Sequence, residues 1–179
     1  RPGFIATLFL YLAVLIPVVE EIIKPIAVWL LLRRKPQPWE GFALGATSGA
    51  GYALFENLTI GAAAESWTLV TVLRLGTAAV HIFATGMVGW GLVSGISERK
   101  FDRLAGSLLA GIILHGVWNG FNILSSLGEF APVREALGSF GAGLADYSMF
   151  GMGVLALGSI LGLIKASSAF RRAIIAGVN

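Results

Sequence analysis

Acids and imidazoles sit where apolar side chains dominate. Glu20 and Glu21 are adjacent in the run VVEEIIKP, with Lys24 four residues after the first of them. Glu56 lies in GYALFEN, one turn after Tyr52 and next to Asn57. His81 ends the run LRLGTAAVH, seven residues after Arg74, and His115 opens HGVWN, four residues before Asn119. A glutamate can act as general base on a water, and a histidine can orient that water or protonate a leaving amine. A His/Asn pair one turn apart can donate hydrogen bonds to a developing oxyanion. Together they form a kit for amide hydrolysis, with Glu20, Glu21, His81, His115 and Asn119 as candidate catalytic residues. Lys24, Tyr52, Glu56, Asn57 and Arg74 are then candidates for substrate contact or support. Glu56, His81 and His115 equally make a ligand set for zinc with an open position, leaving Glu20 or Glu21 as the base. The spacing alone does not choose between the two mechanisms; the metal-free one is preferred, with no cofactor required, and zinc is the alternative. The chain has no HExxH, no GxSxG and no cysteine, which removes the soluble protease templates.

The elements that carry these residues belong in a membrane. Of 179 residues, 56% are hydrophobic and 13% charged, with a mean hydropathy of +0.80. A soluble domain carries roughly 25% charged residues, so a water-soluble globule is excluded. A disordered chain is excluded too, because it lacks apolar side chains to bury. The expected fold is an all-α polytopic membrane protein, one helical domain over residues 1–179. Stretches of about 20 apolar residues predict about five transmembrane helices, at residues 3–32, 41–64, 68–97, 104–127 and 147–164. Residues 128–146 contain Pro132 and several glycines and suit a short interfacial helix.

Depth brings the polar residues together. Counting about 1.5 Å of rise per residue from the basic ends of the spans puts Glu20 and Glu21 about 18 Å up, Glu56 about 22 Å, His81 about 24 Å and His115 about 17 Å. Four helices thus contribute to one layer, a polar site at mid-membrane, where a charge costs at least about 2.5 to 3.5 kcal/mol. Singly, an acid–lysine pair reads equally as a structural ion pair, and a lone membrane histidine as an interhelical hydrogen-bonder. Their common depth is what points to a site. Pro17 and Pro25 flank the acid pair and predict a kink or a widened turn. Glycines four apart (Gly41/Gly45/Gly49, Gly91/Gly95, Gly116/Gly120, Gly158/Gly162) predict close helix packing, with Gly116 and Gly120 able to admit a substrate backbone. Trp39 and Trp67 read as interfacial anchors.

Basic residues set the orientation. Arg33, Arg34, Lys35, Arg99, Lys100, Arg103, Lys165, Arg171 and Arg172 fall at alternate span ends, opposite Arg1 and Arg134 with Glu65, Glu129, Glu135 and Asp146. Arg1 is therefore expected outside and Asn179 in the cytoplasm, in a prokaryotic cytoplasmic membrane. The net charge of +3 then reports topology, and no nucleic-acid partner is implied.

EEIIK, GYALFEN, LRLGTAAVH and LHGVWN, in that order, resemble the four motifs of the PrsW family of intramembrane proteases. That family is related to the glutamate-type CAAX prenyl proteases and the bacteriocin-immunity proteins. The resemblance covers roughly residues 18–121. It implies that Glu20 and Glu21 are the essential acid pair, His81 the third-span histidine, and His115 with Asn119 the last motif; Glu56 and Asn57 match the second-span motif. The prenyl proteases carry an arginine four residues after the second acid, whereas Lys24 here is three after it, the PrsW form. The resemblance further implies cleavage of membrane-anchored protein substrates, as in release of an anti-sigma factor. The family has been classed both as metallopeptidase-like and as glutamate-type. Its chains carry further spans before the EExxK helix, so Arg1 reads as an internal start. The expectation is an intramembrane endopeptidase whose partners are a membrane-anchored substrate and the bilayer. Buried Glu/His/Arg chains also serve proton- or ion-coupled transporters, the competing class, but few spans and no inverted repeat speak against that. A third class is a scaffold whose polar site only holds helices together.

Overall fold

A computed structural model describes residues 2–61 and 67–175, all of the regular structure in them helical. The side chains of residues 60–73 are not described, so the anchoring role of Trp67 and the placement of Arg1, Glu65 and Asn179 lie outside the described residues.

The two prolines in the first span act in different ways. α1 (Pro2–Leu10) runs into a π-helical turn at Tyr11–Leu15, then into α2 (Ile16–Ile23). In the π turn the Ile16 N–H reaches back to the Tyr11 carbonyl, five residues away. Pro17 has no N–H to offer Leu12 in the same register. Pro25 then ends the helix outright: the chain turns at Lys24 and Pro25 before α3 (Ile26–Leu31) and a closing 3₁₀ turn (Leu32–Arg34). The sequence suggested a kink or a widened turn; the chain has both.

α4 (Pro38–Gly61), α5 (Trp67–Ser97), α6 (Phe101–Leu127), α7 (Ala131–Asp146) and α8 (Ser148–Ile175) follow. α5 is the central helix, packed between α4 on one side and α6 and α8 on the other. α7 is the short helix foreseen between the last two spans, and it is bent at Gly138, whose φ of 67° is left-handed backbone that suits glycine.

Four described segments are long and apolar enough to cross a membrane: Gly3–Arg34, Arg74–Ser97, Phe101–Leu127 and Ser148–Arg172. The fifth expected span, α4, is long enough at 24 residues but is not among them. Glu40, Thr47, Ser48, Glu56, Asn57 and Thr59, together with its glycines, dilute its apolar character. Large apolar side chains such as Phe4, Leu30, Leu58, Leu75, Phe150 and Ile164 stand exposed around the bundle, as a lipid-facing surface requires.

Glycine sets the helix spacing. A Cβ on Gly41, Gly45 or Gly49 of α4 would strike the backbone carbonyls of Gly89, Thr85 and His81 in α5. Gly91 and Gly95 of α5 abut Ser107 and Leu104 of α6, Gly116 faces the Ala13 carbonyl of the π turn, and Gly162 meets the Phe83 ring. Gly120 and Gly158 have open space instead, so the four-residue spacing misjudged those two. Two apolar clusters, Val28/Val88/Leu92/Val93 and Val80/Trp118/Met152, are both anchored on α5. Between Val80 and Val88 on that helix lie His81 and Thr85, both buried.

Candidate active site

Every residue that the sequence put forward arrives at one place. Lys24 Nζ, with its side chain only 1% exposed, lies 2.7 Å from Glu20 Oε2 and 3.2 Å from Glu21 Oε1. It also lies 2.9 Å from His81 Nδ1 and 3.4 Å from His115 Nδ1, and 4.4 Å from the centre of the Tyr52 ring. The ammonium is thus the point on which α2, α4, α5 and α6 converge. The two imidazoles meet edge to face, 4.7 Å between centres, and Tyr52 stands at 5.6 Å from His81 in the same manner.

Counting donors assigns the tautomers. Lys24 has three N–H groups and three near acceptors: Glu20 Oε2, Glu21 Oε1 and His81 Nδ1. His81 Nδ1 therefore accepts, and its Nε2–H donates to Glu56 Oε2 at 2.9 Å. His115 Nδ1–H donates to Glu21 Oε1 at 3.0 Å. That leaves His115 Nε2 as an acceptor, 3.3 Å from the Asn119 amide nitrogen and 3.8 Å from Glu20 Oε2. Asn119 also donates to the Leu12 carbonyl at 2.9 Å, supplying the hydrogen bond that Pro17 cannot. Each histidine is thus backed by a carboxylate on one ring nitrogen, the arrangement that fixes ring orientation in many metal and catalytic sites.

The acid pair divides by exposure. Glu21 is fully buried and holds His115, Lys24 and, at 3.5 Å, the Thr85 hydroxyl. Glu20 is 22% exposed and lines a cavity of about 330 Å³ with Glu56, Arg74, His115, Asn119 and Asn122. Arg74 donates through Nε to Asn57 Oδ1 at 2.6 Å. Its Nη2 stands 3.4 Å from Glu56 Oε2, an ion pair without hydrogen-bond geometry. Leu12, Ile16 and Trp118 supply apolar wall, so the cavity combines a few polar groups with an apolar surround, as substrate pockets do.

Three side chains offer atoms that lie within 4.8 Å of one another and could hold a metal: Glu20, His81 and His115. Glu56, expected as the carboxylate of that set, hydrogen-bonds to His81 instead, and Glu20 takes the place in the group. Two imidazoles and a carboxylate suit zinc with an open position, so the donor chemistry fits a metal.

Sequence reading missed Thr77, Thr85 and Asn122. Thr77 and Thr85 are four residues to either side of His81, and Asn122 is three after Asn119, so helical spacing alone put them on the site's faces. They passed unnoticed because hydroxyls and amides in membrane helices commonly satisfy themselves on their own backbone, as Asn122 does on the Trp118 carbonyl.

Over residues 2–144 the chain matches the family described as PrsW family intramembrane metalloprotease. No curated protein and no solved structure matches it.

Proposed function

Because the chain belongs to the PrsW family of intramembrane metalloproteases, we propose that this integral membrane protein is an endopeptidase that cleaves membrane-anchored proteins, of the anti-sigma-factor kind, at a polar site near mid-membrane. The observation that carries the reading is the cavity on which Glu20, His115 and Asn119 open together. Around it the outward surface is apolar, so a peptide bond brought there leaves bulk water behind.

Glu20 is the general base. A water held between Glu20 Oε2 and His115 Nε2, which stand 3.8 Å apart, gives its proton to the carboxylate as its oxygen attacks the scissile carbonyl carbon. As the C–N bond breaks, that proton passes through His115 Nε2 to the leaving nitrogen. Glu21 holds the His115 imidazole by Nδ1 and stabilises it when it is charged, and Glu56 orients His81 by accepting from its Nε2–H. The second Asn119 N–H, turned from His115 toward the tetrahedral oxygen, stabilises its charge. Arg74, Asn57 and Tyr52 support this arrangement from the cavity wall and from behind His81.

If a divalent metal is bound, Glu20, His81 and His115 are the residues that would hold it. It would polarise the carbonyl and acidify the water. The C-terminus is assigned to the cytoplasm by the basic loops.

The test uses proteoliposomes of purified protein with a single-span substrate. A cleavage product that disappears in Glu20→Gln supports the reading. Intact substrate in every preparation, with the protein folded, sinks it. Elemental analysis together with activity after chelation decides whether the metal is required.

A further inference from the structure

Lys24 does more than neutralise the acid pair. Its ammonium is satisfied by three acceptors on two helices, and two of those acceptors, Glu20 and His81, are also members of the group able to hold a metal. The third member, His115, is 3.4 Å away. We infer that the Lys24 ammonium and a divalent cation compete for the same donors, so that this lysine is an internal competitor that sets the site's metal affinity. The inference rests on the reading that Glu20, His81 and His115 can hold a metal.

Three observations carry it. First, the donors overlap. Glu20 Oε2 is 2.7 Å and His81 Nδ1 2.9 Å from Nζ, and a neutral imidazole has a single acceptor nitrogen. While Lys24 holds His81 Nδ1 and Glu56 holds Nε2, that ring has no lone pair left for a metal, and the ammonium occupies the carboxylate's approach. Second, bulk solvent screens the two cations poorly from each other, because the lysine side chain is 1% exposed and the Tyr52 ring covers it. Like charges in such surroundings repel strongly. Third, Lys24 stands at the turn where Pro25 interrupts the first span. Its N–H still bonds the Glu20 carbonyl and its backbone is still helical, so the side chain can leave the donors by changing its rotamers without unwinding α2. The ligand class follows from the donors: two imidazoles and one carboxylate favour a borderline transition-metal ion such as zinc over magnesium or calcium.

Lys24→Met keeps the length of the apolar stem and removes the charge. Zinc binding is measured by competition with a fluorescent indicator on full-length protein in detergent. Lys24→Met should bind zinc at least about tenfold more tightly than the wild type, a change on the scale produced by residues around a metal's ligands. Lys24→Arg, which retains a cation, should not bind more tightly. Adding Glu20→Gln to Lys24→Met should remove the gain. Equal or weaker zinc affinity in a folded Lys24→Met protein overturns the inference, as does absence of zinc binding in both proteins.

A wild-type measurement guards against a variant that fails to fold. Zinc should raise the labelling of Lys24 by an amine-reactive reagent, read by peptide mass spectrometry, because the displaced ammonium leaves its buried position. Labelling unchanged at saturating zinc overturns the inference. Neither readout involves cleavage, so a chain that binds zinc as described but cuts nothing would sink the proposed peptidase and leave this competition standing.

Discussion

Lys24 Nζ and His81 Nδ1 lie 2.9 Å apart although 57 residues separate them in the chain. That contact ties the first span to the central helix and determines which nitrogen of His81 carries the proton. With Nδ1 accepting from the lysine, Nε2–H is left for Glu56, and a chain of polar contacts runs from Glu20 through Lys24 and His81 to Glu56 and Arg74.

The two acids should fail differently when made amides. Glu20→Gln should lower cleavage by about 10²-fold or more, the usual worth of a general base, and leave thermal stability near wild type because Glu20 is partly exposed. Glu21→Gln should lose activity and also stability, by about 3 kcal/mol, since it removes one partner of a buried ionic cluster. Cleavage rates and melting curves on the same detergent preparations check this. Full activity in both variants would reject the base assignment.

Asn119→Ala should reduce kcat by about 10²-fold with little change in KM if its amide serves the oxyanion. The same amide bonds to the Leu12 carbonyl. A change confined to KM would therefore show that Asn119 positions the first span, and substrate with it, and takes no part in the chemistry.

Glycine substitutions should sort by contact and not by spacing. Gly45→Val drives a side chain into the Thr85 carbonyl and should destabilise the bundle by about 1–3 kcal/mol, as overpacking does. Gly158→Ala, with open space around it, should melt like the wild type. Equal melting temperatures for the two variants would remove the role given to glycine at the α4–α5 contact.

Outside the spans, Arg134 grips Asp146 with two hydrogen bonds, 2.8 and 3.1 Å long, joining the ends of α7. The Arg134 hydrogen bond holds the Asp146 carboxyl below its ordinary value of 3.8. A group depressed in this way stabilises above its unfolded value and loses that contribution as pH falls through the lower folded one. Cutting of α7 by added protease should therefore be constant from neutral pH down to about 4 and rise only below that, whereas Asp146→Asn should be cut readily at neutral pH. A wild-type protein that becomes susceptible near pH 6 would exclude this pair as the cause.

Much of the site was legible because a membrane makes ionisable residues conspicuous. Glu20, Glu21, Glu56, His81 and His115 each stood out against an apolar run, and helical rise alone predicted a shared level; in the folded chain their side chains meet. Pairings between helices were not legible. The i, i+4 spacing showed that Lys24 could reach Glu20, but nothing in a linear pattern shows that it reaches His81, or that Glu20 and not Glu21 opens on the cavity. Those depend on the rotation of α2 about its axis, which its packing against α6 and α5 sets. Glu56 was taken for a metal ligand because its depth suited His81. In the structure it meets the histidine on the ring nitrogen facing away from the lysine. The span count was harder to read at α4, where the glycines that allow close packing also lower the apolar content by which a span is recognised.

The π turn also makes the first span sensitive to length in a particular way. A π turn holds one more residue than the α-helical turn it replaces. Removal of any one residue from Tyr11–Leu15 would let the helix close regularly while Glu20, Glu21 and Lys24 kept their own turn. Everything ahead of it, Pro2–Leu10, would then swing about 100° around the helix axis, and the Leu12 carbonyl that receives Asn119 would no longer be presented. A single-residue deletion here is thus a rotation, not a shortening: it would turn a different face of α1 to its neighbours while leaving the acid pair in register.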